Sequence, residues 1–397
     1  MKGLKKALAA VLTVTAMMAA LVVPVAADFD YEPVKGTSTQ LTKYLIFDEN
    51  IQLPDLTFTY KIEAGDKIDA GTDTFEVLEG VGAPTVADVA FTNSSTSYDT
   101  VQTADDGKVT LPAGMKYSKA DITIDFTGCS FEEPGIYRYV LTEDQCTFSP
   151  AVICDTAPKY VDVYVTDDGS DLKIDAYIVH TDIAAPSKNT TGGTTGGALS
   201  DKIDSITNTY VTQDLYIGKT VDGNQASRDK YFKFTVELGN LPKGAVLLVD
   251  RSHATESLGA TVNPATIYSN VTNPDSLTVG DDGKVTAEFY LQNGQYVIIQ
   301  GLTKDATYKV EEAAEDYVSK ASDNTSFTIG SVTFDDKTED VIADEDVQTG
   351  FTNVRQGVVP TGIIMKVAPI AAVGIVVTAG IVILIVRSTK RKAEEEA

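Results

Sequence analysis

A lysine, a glutamate and an asparagine recur in the same order in the two halves of this sequence. The two sets are Lys43, Glu143 and Asn208, then Lys219, Glu312 and Asn353. A lysine amine is a nucleophile only in its neutral form, which burial in an apolar site favours. Burial also raises the pKa of a carboxyl group, so that a buried glutamate can hold a proton and pass it on. Each set therefore combines an amine nucleophile with an acid and a carboxamide.

Alternation along the predicted strands turns these polar side chains toward the interior. Lys43 lies two residues from both Leu41 and Leu45, and Lys219 lies two residues from Ile217, so each lysine shares a strand face with apolar neighbours. The same count places both glutamates and both asparagines among apolar residues. Any one of them alone would be interpreted as a snorkelling lysine, a rim glutamate or a turn asparagine. A buried charge without partners is costly, so a set that is repeated twice requires a chemical reason.

Strand patterns dominate the sequence between its two termini. Segments that alternate, or that are rich in β-branched and aromatic residues, are separated by turn residues at short spacing. Examples are 56–62, 121–126, 137–142 and 160–165. This pattern predicts an all-β fold of antiparallel sandwiches.

The two halves form an internal repeat. Asp105-Asp-Gly-Lys-Val-Thr110 recurs as Asp281-Asp-Gly-Lys-Val-Thr286, and the other shared landmarks follow in the same order. The boundary is predicted after Tyr210. The sequence therefore predicts an N-terminal domain at 28–210 and a C-terminal domain at 211–357.

Both termini are predicted to direct the chain out of the cell. Lysines precede an apolar run from Ala7 to Val23, and small residues follow, which is typical of a secretory signal peptide at 1–27. Near the other end, 20 uncharged residues at 367–386 are long enough to cross a bilayer as a helix. We predict a transmembrane helix at 363–386 and a basic cytoplasmic tail at 387–397.

Composition excludes several classes of function. The net charge is −25, from 57 acidic and 32 basic side chains, which disfavours binding to nucleic acid. No hydrolase or metalloprotease motif is present, and we expect no metal and no cofactor. The cysteines Cys129, Cys146 and Cys154 predict one disulfide and one free thiol, with all three pairings open.

The residues at 358–362 resemble the cell-wall sorting signal of Gram-positive surface proteins. That signal, Leu-Pro-x-Thr-Gly ahead of an apolar segment and a basic tail, is cut by a sortase between Thr and Gly. Here the bond is Thr361–Gly362, and the motif reads Val-Val-Pro-Thr-Gly. This variant is similar to the signal of streptococcal-type backbone pilins, which favours a pilus-building sortase over ordinary wall anchoring.

The two halves also resemble those backbone pilins, which are built of collagen-adhesin B-type Ig-like domains. In that family a first-strand lysine and a last-strand asparagine form an isopeptide bond with the help of a glutamate. The protonated acid would hydrogen-bond the asparagine carbonyl and pass its proton to departing ammonia. The resemblance implies two tandem Ig-like sandwiches with the bonds Lys43–Asn208, assisted by Glu143, and Lys219–Asn353, assisted by Glu312.

The function that the resemblance implies is that of a pilus shaft subunit, secreted and attached to the cell wall after transient membrane anchoring. Its partners would be a sortase, further pilin copies and peptidoglycan, with Thr361 joined to a lysine of the next subunit. We predict Lys202 as that lysine, with Lys188 as the alternative. A single wall-anchored adhesin or minor pilin is the alternative function, and the absence of a catalytic motif disfavours an enzyme. The sequence predicts neither a host ligand nor the identity of the sortase.

Overall fold

The computed structural model describes residues 32–95, 97–98, 109–144, 151–169, 171–188, 201–254, 273–313, 318–319 and 326–357. These residues form 28 β-strands, and no helix occurs within the described ranges. The structure therefore confirms the all-β prediction.

The strands of the first half pair only with one another within the described ranges. In chain order they are β1 Val34–Lys35, β2 Ser38–Asp48, β3 Leu56–Phe58, β4 Tyr60–Ala64, β5 Leu78–Glu79, β6 Thr85–Val86, β7 Val89–Phe91, β8 Ser97–Tyr98, β9 Met115–Asp125, β10 Ser130–Phe131, β11 Gly135–Glu143, β12 Val152–Ile153, β13 Lys159–Asp167, β14 Leu172–His180, β15 Lys202–Ile203 and β16 Ser205–Tyr210.

The strands of the second half likewise pair among themselves, as far as the described residues show. They are β17 Gln213–Asp222, β18 Phe232–Gly239, β19 Val246–Asp250, β20 Ser276–Thr278, β21 Val285–Leu291, β22 Gln295–Leu302, β23 Thr307–Glu312, β24 Val318–Ser319, β25 Phe327–Ile329, β26 Val332–Phe334, β27 Glu339–Val341 and β28 Val347–Val354.

The first domain is a sandwich of two sheets. One sheet has the order β15, β14, β13, β11, β4, and β5 also pairs with β11. The other sheet has the order β12, β16, β2, β9, β6, and β8 also pairs with β9. The strands β2 and β16 run parallel, whereas most other pairs are antiparallel. Alternate residues of both sheets point into one apolar core, which includes Leu45, Ile122, Tyr139, Val163 and Ile206.

The second domain is also a two-sheet sandwich. Its sheets have the orders β20, β19, β22, β17, β28, β24 and β21, β18, β23, β27. Again the first and last long strands of the domain, β17 and β28, are parallel neighbours. Phe234 of one sheet meets Phe351 of the other with their ring centroids 5.2 Å apart, so the core lies between the two sheets.

A short hairpin, β25–β26, covers the outer face of β17 and β28. Gly218 and Gly350 are register partners on these two strands. A Cβ atom at Gly218 would lie 2.6 Å from the ring of Phe334, and one at Gly350 would lie 2.5 Å from the ring of Phe327. Both positions require glycine because the two rings lie directly on the strand backbones.

The segment 56–62, which alternation predicts as one strand, is divided at Thr59. The strand β3 pairs with β7 in a small sheet, whereas β4 pairs with β11 in the main sandwich. Alternation continues across the break because both pieces bury the same side. The division is set by pairing partners that are distant in sequence.

Several predicted segments lie outside the described residues. They are the signal peptide at 1–27, the sorting motif at 358–362, the transmembrane helix at 363–386 and the tail at 387–397. Within the described ranges, no helix is long and apolar enough to cross a membrane. Among the described residues, 223–226 form a separate small unit with 355–357, where the Gln225 backbone N–H donates to the Arg355 carbonyl at 3.1 Å.

Candidate functional site

Parallel pairing of β2 with β16 brings the lysine and asparagine of the first domain together. Lys43 is the register partner of Ile206, and Asn208 follows two residues later on the same face. The strand β11 of the opposite sheet contributes Glu143. All three residues are buried, with 0% of Lys43, 5% of Glu143 and 1% of Asn208 exposed to solvent. The first and last strands of the domain therefore face one carboxylate in its interior.

The Glu143 carboxylate bridges the two other side chains. The Lys43 ammonium donates to its Oε2 atom, and the Asn208 Nδ2 atom donates to its Oε1 atom. The Asn208 Oδ1 atom points the other way and accepts a hydrogen bond of 3.1 Å from the backbone N–H of Asp155. One carboxylate thus holds both the amine and the amide nitrogen.

Aromatic rings form the apolar wall of this first site. The Lys43 Nζ atom lies 4.7 Å from the ring centroid of Phe58 and 5.8 Å from that of Tyr60. Tyr60 is also the cross-strand partner of Glu143. Burial lowers the pKa of Lys43 to about 8, although the negative charge of Glu143 opposes that shift. The site therefore favours the neutral, nucleophilic amine.

The second domain repeats this arrangement on β17, β23 and β28. Lys219 pairs in register with Phe351, and Asn353 again follows two residues later. The Lys219 Nζ atom lies 3.1 Å from Glu312 Oε1, and Asn353 Nδ2 donates to the same oxygen at 2.6 Å. The side chain of Glu312 is 3% exposed, whereas the adjacent Glu311 faces solvent. The strand register that produces the first site therefore produces the second.

The pKa of the second lysine is shifted in the same direction as that of the first. Burial lowers the pKa of Lys219 to about 8 against the pull of Glu312, and the ring of Phe232 lies 4.5 Å from its Nζ atom. Burial also raises the pKa of Glu312, although Lys219 and Asn353 partly offset the effect. Both shifts move the pair toward a neutral amine beside a neutral acid.

This geometry suits an acyl transfer from asparagine to lysine. An amine whose pKa burial has lowered lies beside a carboxamide, and one carboxyl group contacts both nitrogens, so it can accept a proton from the attacking amine and donate it to the departing one. In one detail the structure differs from the sequence-based expectation. Glu143 and Glu312 contact the amide nitrogens of Asn208 and Asn353, whereas the expectation had the acid hydrogen-bonded to the amide oxygen.

Sequence reasoning missed two residues beside the first site. Lys159 is 4% exposed, and its ammonium donates to Asp155 Oδ1 at 2.7 Å and to the Ala157 carbonyl at 2.9 Å. Asp155 supplies the backbone N–H that meets Asn208. Both lie in or beside the turn from β12 to β13, and a turn has no alternation from which their positions could be predicted.

A second buried polar network lies in the first domain. Arg138 donates to both carboxylate oxygens of Asp162 at 2.8 and 2.9 Å, and His180 Nε2 lies 3.0 Å from Asp162 Oδ2. Arg138 also donates to the backbone carbonyls of Ile183 and Ala184 at 2.5 and 3.2 Å. The network therefore fixes the chain that leaves β14.

The described cysteines agree with the prediction of one disulfide and one free thiol. Cys154 is disulfide-bonded, Cys129 is a buried free thiol, and Cys146 lies outside the described residues. Burial raises the pKa of the Cys129 thiol, which disfavours the reactive thiolate.

The two candidate acceptor lysines are both exposed but differ in their surroundings. Lys202 begins β15 at the edge of a sheet, opposite His180, and partial burial lowers the pKa of its amine. The Lys188 ammonium donates to the Gly71 carbonyl at 3.0 Å. The chain changes sheets between Ile203 and Ser205, and this change interrupts the alternation that would otherwise have turned Lys202 inward.

Two other sequence predictions receive no structural test. Thr361 and Gly362 lie outside the described residues. No group of three or more His, Cys, Asp or Glu side chains in the described ranges is arranged to hold a metal ion.

Two family models match this chain, one over each of the two sandwiches. Residues 39–210 match the family described as the Spy0128-like isopeptide containing domain, and residues 213–355 match a domain of unknown function, DUF7601. The chain is 27% identical over 358 residues to a pilin of Streptococcus pyogenes serotype M1, covering 87% of this chain and 89% of that protein.

Two solved structures match most of this chain. A mutant of the major pilin from Streptococcus pyogenes matches with a TM-score of 0.50 at 19% identity, covering 81% of this chain and all of the other. The major pilin protein T3.2 from serotype GAS13637 matches with a TM-score of 0.49 at 20% identity, covering 81% and 99% of the two chains. The first of these supports the two-sandwich fold.

Proposed function

Because this chain is a homologue of streptococcal major pilins with a Spy0128-like isopeptide domain, we propose that it is the backbone subunit of a covalent surface pilus. It is a structural protein, not an enzyme. In the finer description, both sandwiches are Ig-like domains of the collagen-adhesin B type. Each contains one lysine–asparagine isopeptide bond that the domain forms once, by itself.

The observation that carries this proposal is the same buried set of side chains in both domains. In each, a lysine on the first long strand and an asparagine on the last contact the same buried carboxylate. Burying two ionisable groups is costly unless they are paired or react, and an uncharged amide product removes that cost. The second domain matches a family of unknown function, and the proposal gives that domain the same reaction.

The reaction in each domain exchanges one amide for another. The neutral lysine Nζ attacks the asparagine Cγ, and a C–N bond forms while the carbonyl electrons move to Oδ1. The glutamate takes a proton from Nζ and delivers it to Nδ2. When the carbonyl reforms, the bond from Cγ to Nδ2 breaks and ammonia leaves.

Assembly would use the C-terminal signal. After export directed by residues 1–27, the segment 363–386 would hold the chain in the membrane until a sortase cuts Thr361–Gly362. The Thr361 carbonyl would then be joined to a lysine of the next subunit, and the last subunit would be joined to peptidoglycan. This proposal rests on the motif at 358–362, which is similar to pilin sorting signals.

Intact mass spectrometry of the purified ectodomain tests the internal bonds. Each bond removes one ammonia, about 17 Da, so the wild-type protein should weigh about 34 Da less than its sequence. Glu143→Ala and Glu312→Ala should each restore one ammonia. Glu311→Ala is the matched control, because that side chain is on the exposed face of the same strand, and it should leave both bonds intact. A wild-type mass equal to that of the sequence would exclude both bonds.

A denaturing gel of cell-wall extract separates the shaft subunit from a single anchored adhesin or minor pilin. A backbone subunit should give a ladder of covalent polymers that contains this chain at every step. One band of wall-linked monomer would instead support the adhesin.

A further inference from the structure

The buried amide of Asn208 has a donor at its oxygen as well as an acceptor at its nitrogen. The Asp155 backbone N–H lies 3.1 Å from Asn208 Oδ1. A backbone N–H can only donate, so this contact fixes which end of the amide is oxygen. The nitrogen end must then face Glu143, where the structure has it. Asp155 therefore orients the amide for attack and for loss of ammonia.

The second domain lacks this contact in the described part of the chain. Asn353 is equally buried, and its nitrogen donates to Glu312 in the same way. Its Oδ1 atom, however, is buried without a hydrogen-bond partner among the described residues. The two sites thus share the lysine, the glutamate and the asparagine, and within the described residues only the first shows a donor to the oxygen of the reacting carbonyl.

Several contacts hold the Asp155 N–H in place. The strand β12 immediately before it pairs with β16, with Val152 opposite Tyr210. Cys154 is disulfide-bonded, and the Asp155 carboxylate accepts from the buried Lys159 ammonium at 2.7 Å. The donor is therefore attached to the strand that contains Asn208. Such a preorganised donor need not reorganise when charge develops on the oxygen.

We propose that the Asp155 backbone N–H is the oxyanion-stabilising group of the first domain, an inference that rests on the isopeptide reaction proposed above. When Lys43 Nζ adds to Asn208 Cγ, the carbonyl electrons move to Oδ1. The Asp155 N–H donates a hydrogen bond to this oxygen and so stabilises the negative charge that develops on it. When the carbonyl reforms, the electrons return and the bond from Cγ to Nδ2 breaks. Glu143 transfers the proton from Nζ to the departing ammonia, and no further reactant is required.

The inference predicts that the rate of Lys43–Asn208 bond formation depends on the Asp155 N–H. Removing one oxyanion donor typically slows an acyl transfer by about 10²–10³-fold. The Lys219–Asn353 bond of the same molecule serves as the internal reference, because Asp155 belongs to the first domain. In pulsed cell-free synthesis of the ectodomain, aliquots quenched in acid and digested with trypsin report each cross-linked peptide separately.

The direct test removes the N–H with Asp155→Pro. The Lys43–Asn208 bond should form at least about 100-fold more slowly, while the Lys219–Asn353 bond keeps its wild-type rate. Asp155→Asn is the matched control, because it retains both the N–H and an acceptor for Lys159, and its first bond should form within a few-fold of the wild-type rate.

A folding check separates lost chemistry from lost structure. In a Glu143→Ala background, where the first bond cannot form, the melting temperature of the first domain should be as high with Asp155→Pro as with Asp155→Ala, because both remove the carboxylate that accepts from the buried Lys159 ammonium. If it is not, the backbone amide at Asp155 is replaced by an ester, which is made by supplying the α-hydroxy analogue of aspartate at that codon. The ester removes the N–H without introducing a proline ring, and the rate of the first bond is then measured in that variant. A first bond that forms at the wild-type rate in the folded proline or ester variant would overturn the inference. Absence of both bonds from the wild-type protein would instead overturn the proposed function.

Discussion

At the scale of residues, the lysine and glutamate of each site must share a single proton for the reaction to proceed. With two protons the pair is ammonium and carboxylic acid, and the amine cannot attack. With one proton it includes the tautomer that has a neutral amine and a neutral acid, which is the reactive form. With none, the amine is free but no acid remains to protonate the departing nitrogen.

This proton count predicts a bell-shaped pH profile for bond formation at Lys219. On the acid side, the rate should fall as the pair takes up its second proton. That fall should begin at a pH above the range in which a glutamate ordinarily titrates, because burial raises the pKa of Glu312. On the alkaline side the rate should fall above about pH 8, where the pair loses its last proton. Diluting a short cell-free synthesis pulse into buffers from acid to alkaline pH measures the rate through the cross-linked peptide. A rate that keeps rising at alkaline pH would show that the glutamate is not the acid.

A second prediction at this scale concerns Asp162. Burial alone would raise the pKa of its carboxyl group, but hydrogen bonds from Arg138 and His180 hold that pKa below its ordinary value. Its contribution to stability is therefore complete above the ordinary carboxyl pKa and is lost as the pH falls through the lower, folded-state value. Asp162→Ala leaves Arg138 buried and unpaired at every pH, which should lower the free energy of unfolding by about 3–5 kcal/mol.

Urea unfolding of the first domain in the Glu143→Ala background measures this loss, because the chain there is free of the isopeptide bond. Glu63→Ala is the control, because it breaks only an exposed ion pair with Lys61. Equal destabilisation by the two substitutions would contradict the role assigned to the buried network.

Alternation predicted where the lysine, glutamate and asparagine of each domain would point, because each is on a regular strand with apolar neighbours. It could not predict Asp155. The contribution of that residue comes from its backbone, which every residue type shares, and its position depends on a turn with no periodicity. The orientation of the Asn208 amide could not be predicted from the sequence either, because it depends on the Asp155 N–H, which can only donate a hydrogen bond.

At the scale of elements, the first and last long strands of each domain are parallel neighbours, and the proposed bond joins them two residues beyond a register pair. A pulling force applied at the two ends of a domain would act on these strands. The hydrogen bonds between two such parallel strands are loaded in shear and can break, whereas an amide bond withstands much larger forces. The proposed link therefore gives the load a covalent path between the first and last strands.

This arrangement predicts the effect of Glu312→Ala on stability. The Lys219–Asn353 link closes 134 residues, and by analogy with a disulfide its loss should cost about 4–5 kcal/mol of unfolding free energy. Calorimetry should show a lower melting temperature for the second domain, with the first domain unaffected. Glu311→Ala, whose exposed carboxylate pairs with Lys309, should leave both transitions in place. A similar loss with Glu311→Ala would mean that the stability comes from charge on this strand and not from the bond.

Sequence patterns predicted the strands better than their partners. The division of 56–62 at Thr59 and the change of sheets between Ile203 and Ser205 follow from pairings across the fold, which a local pattern does not contain. The need for glycine at 218 and 350 could likewise not be predicted from a local pattern. The two glycines are needed because a distant hairpin places two phenylalanine rings on them.

At the scale of the whole molecule, polymerisation needs an accessible amine that can lose its proton. Lys202 is exposed at the edge of a sheet, and partial burial lowers the pKa of its amine, which favours the neutral form. Its ammonium has no partner among the described residues. Lys188 is exposed as well, but its ammonium is held by the Gly71 carbonyl and lies 6.0 Å from the ring of Phe75. Those contacts engage the amine that would have to attack.

We therefore expect Lys202→Ala to abolish the polymer ladder on a denaturing gel of cell-wall extract. The variant should still fold, and the mass of its ectodomain should still be lower by two ammonia molecules, because Lys202 is exposed on β15, whereas Lys43 and Lys219 are buried on β2 and β17. Lys188→Ala is the matched control, and it should retain the ladder. Lys202→Arg should also lose the ladder, because a guanidinium keeps the charge but does not become a free amine at these pH values. A ladder that survives Lys202→Ala and disappears with Lys188→Ala would move the junction to Lys188, and a ladder that survives both would place it on a third lysine.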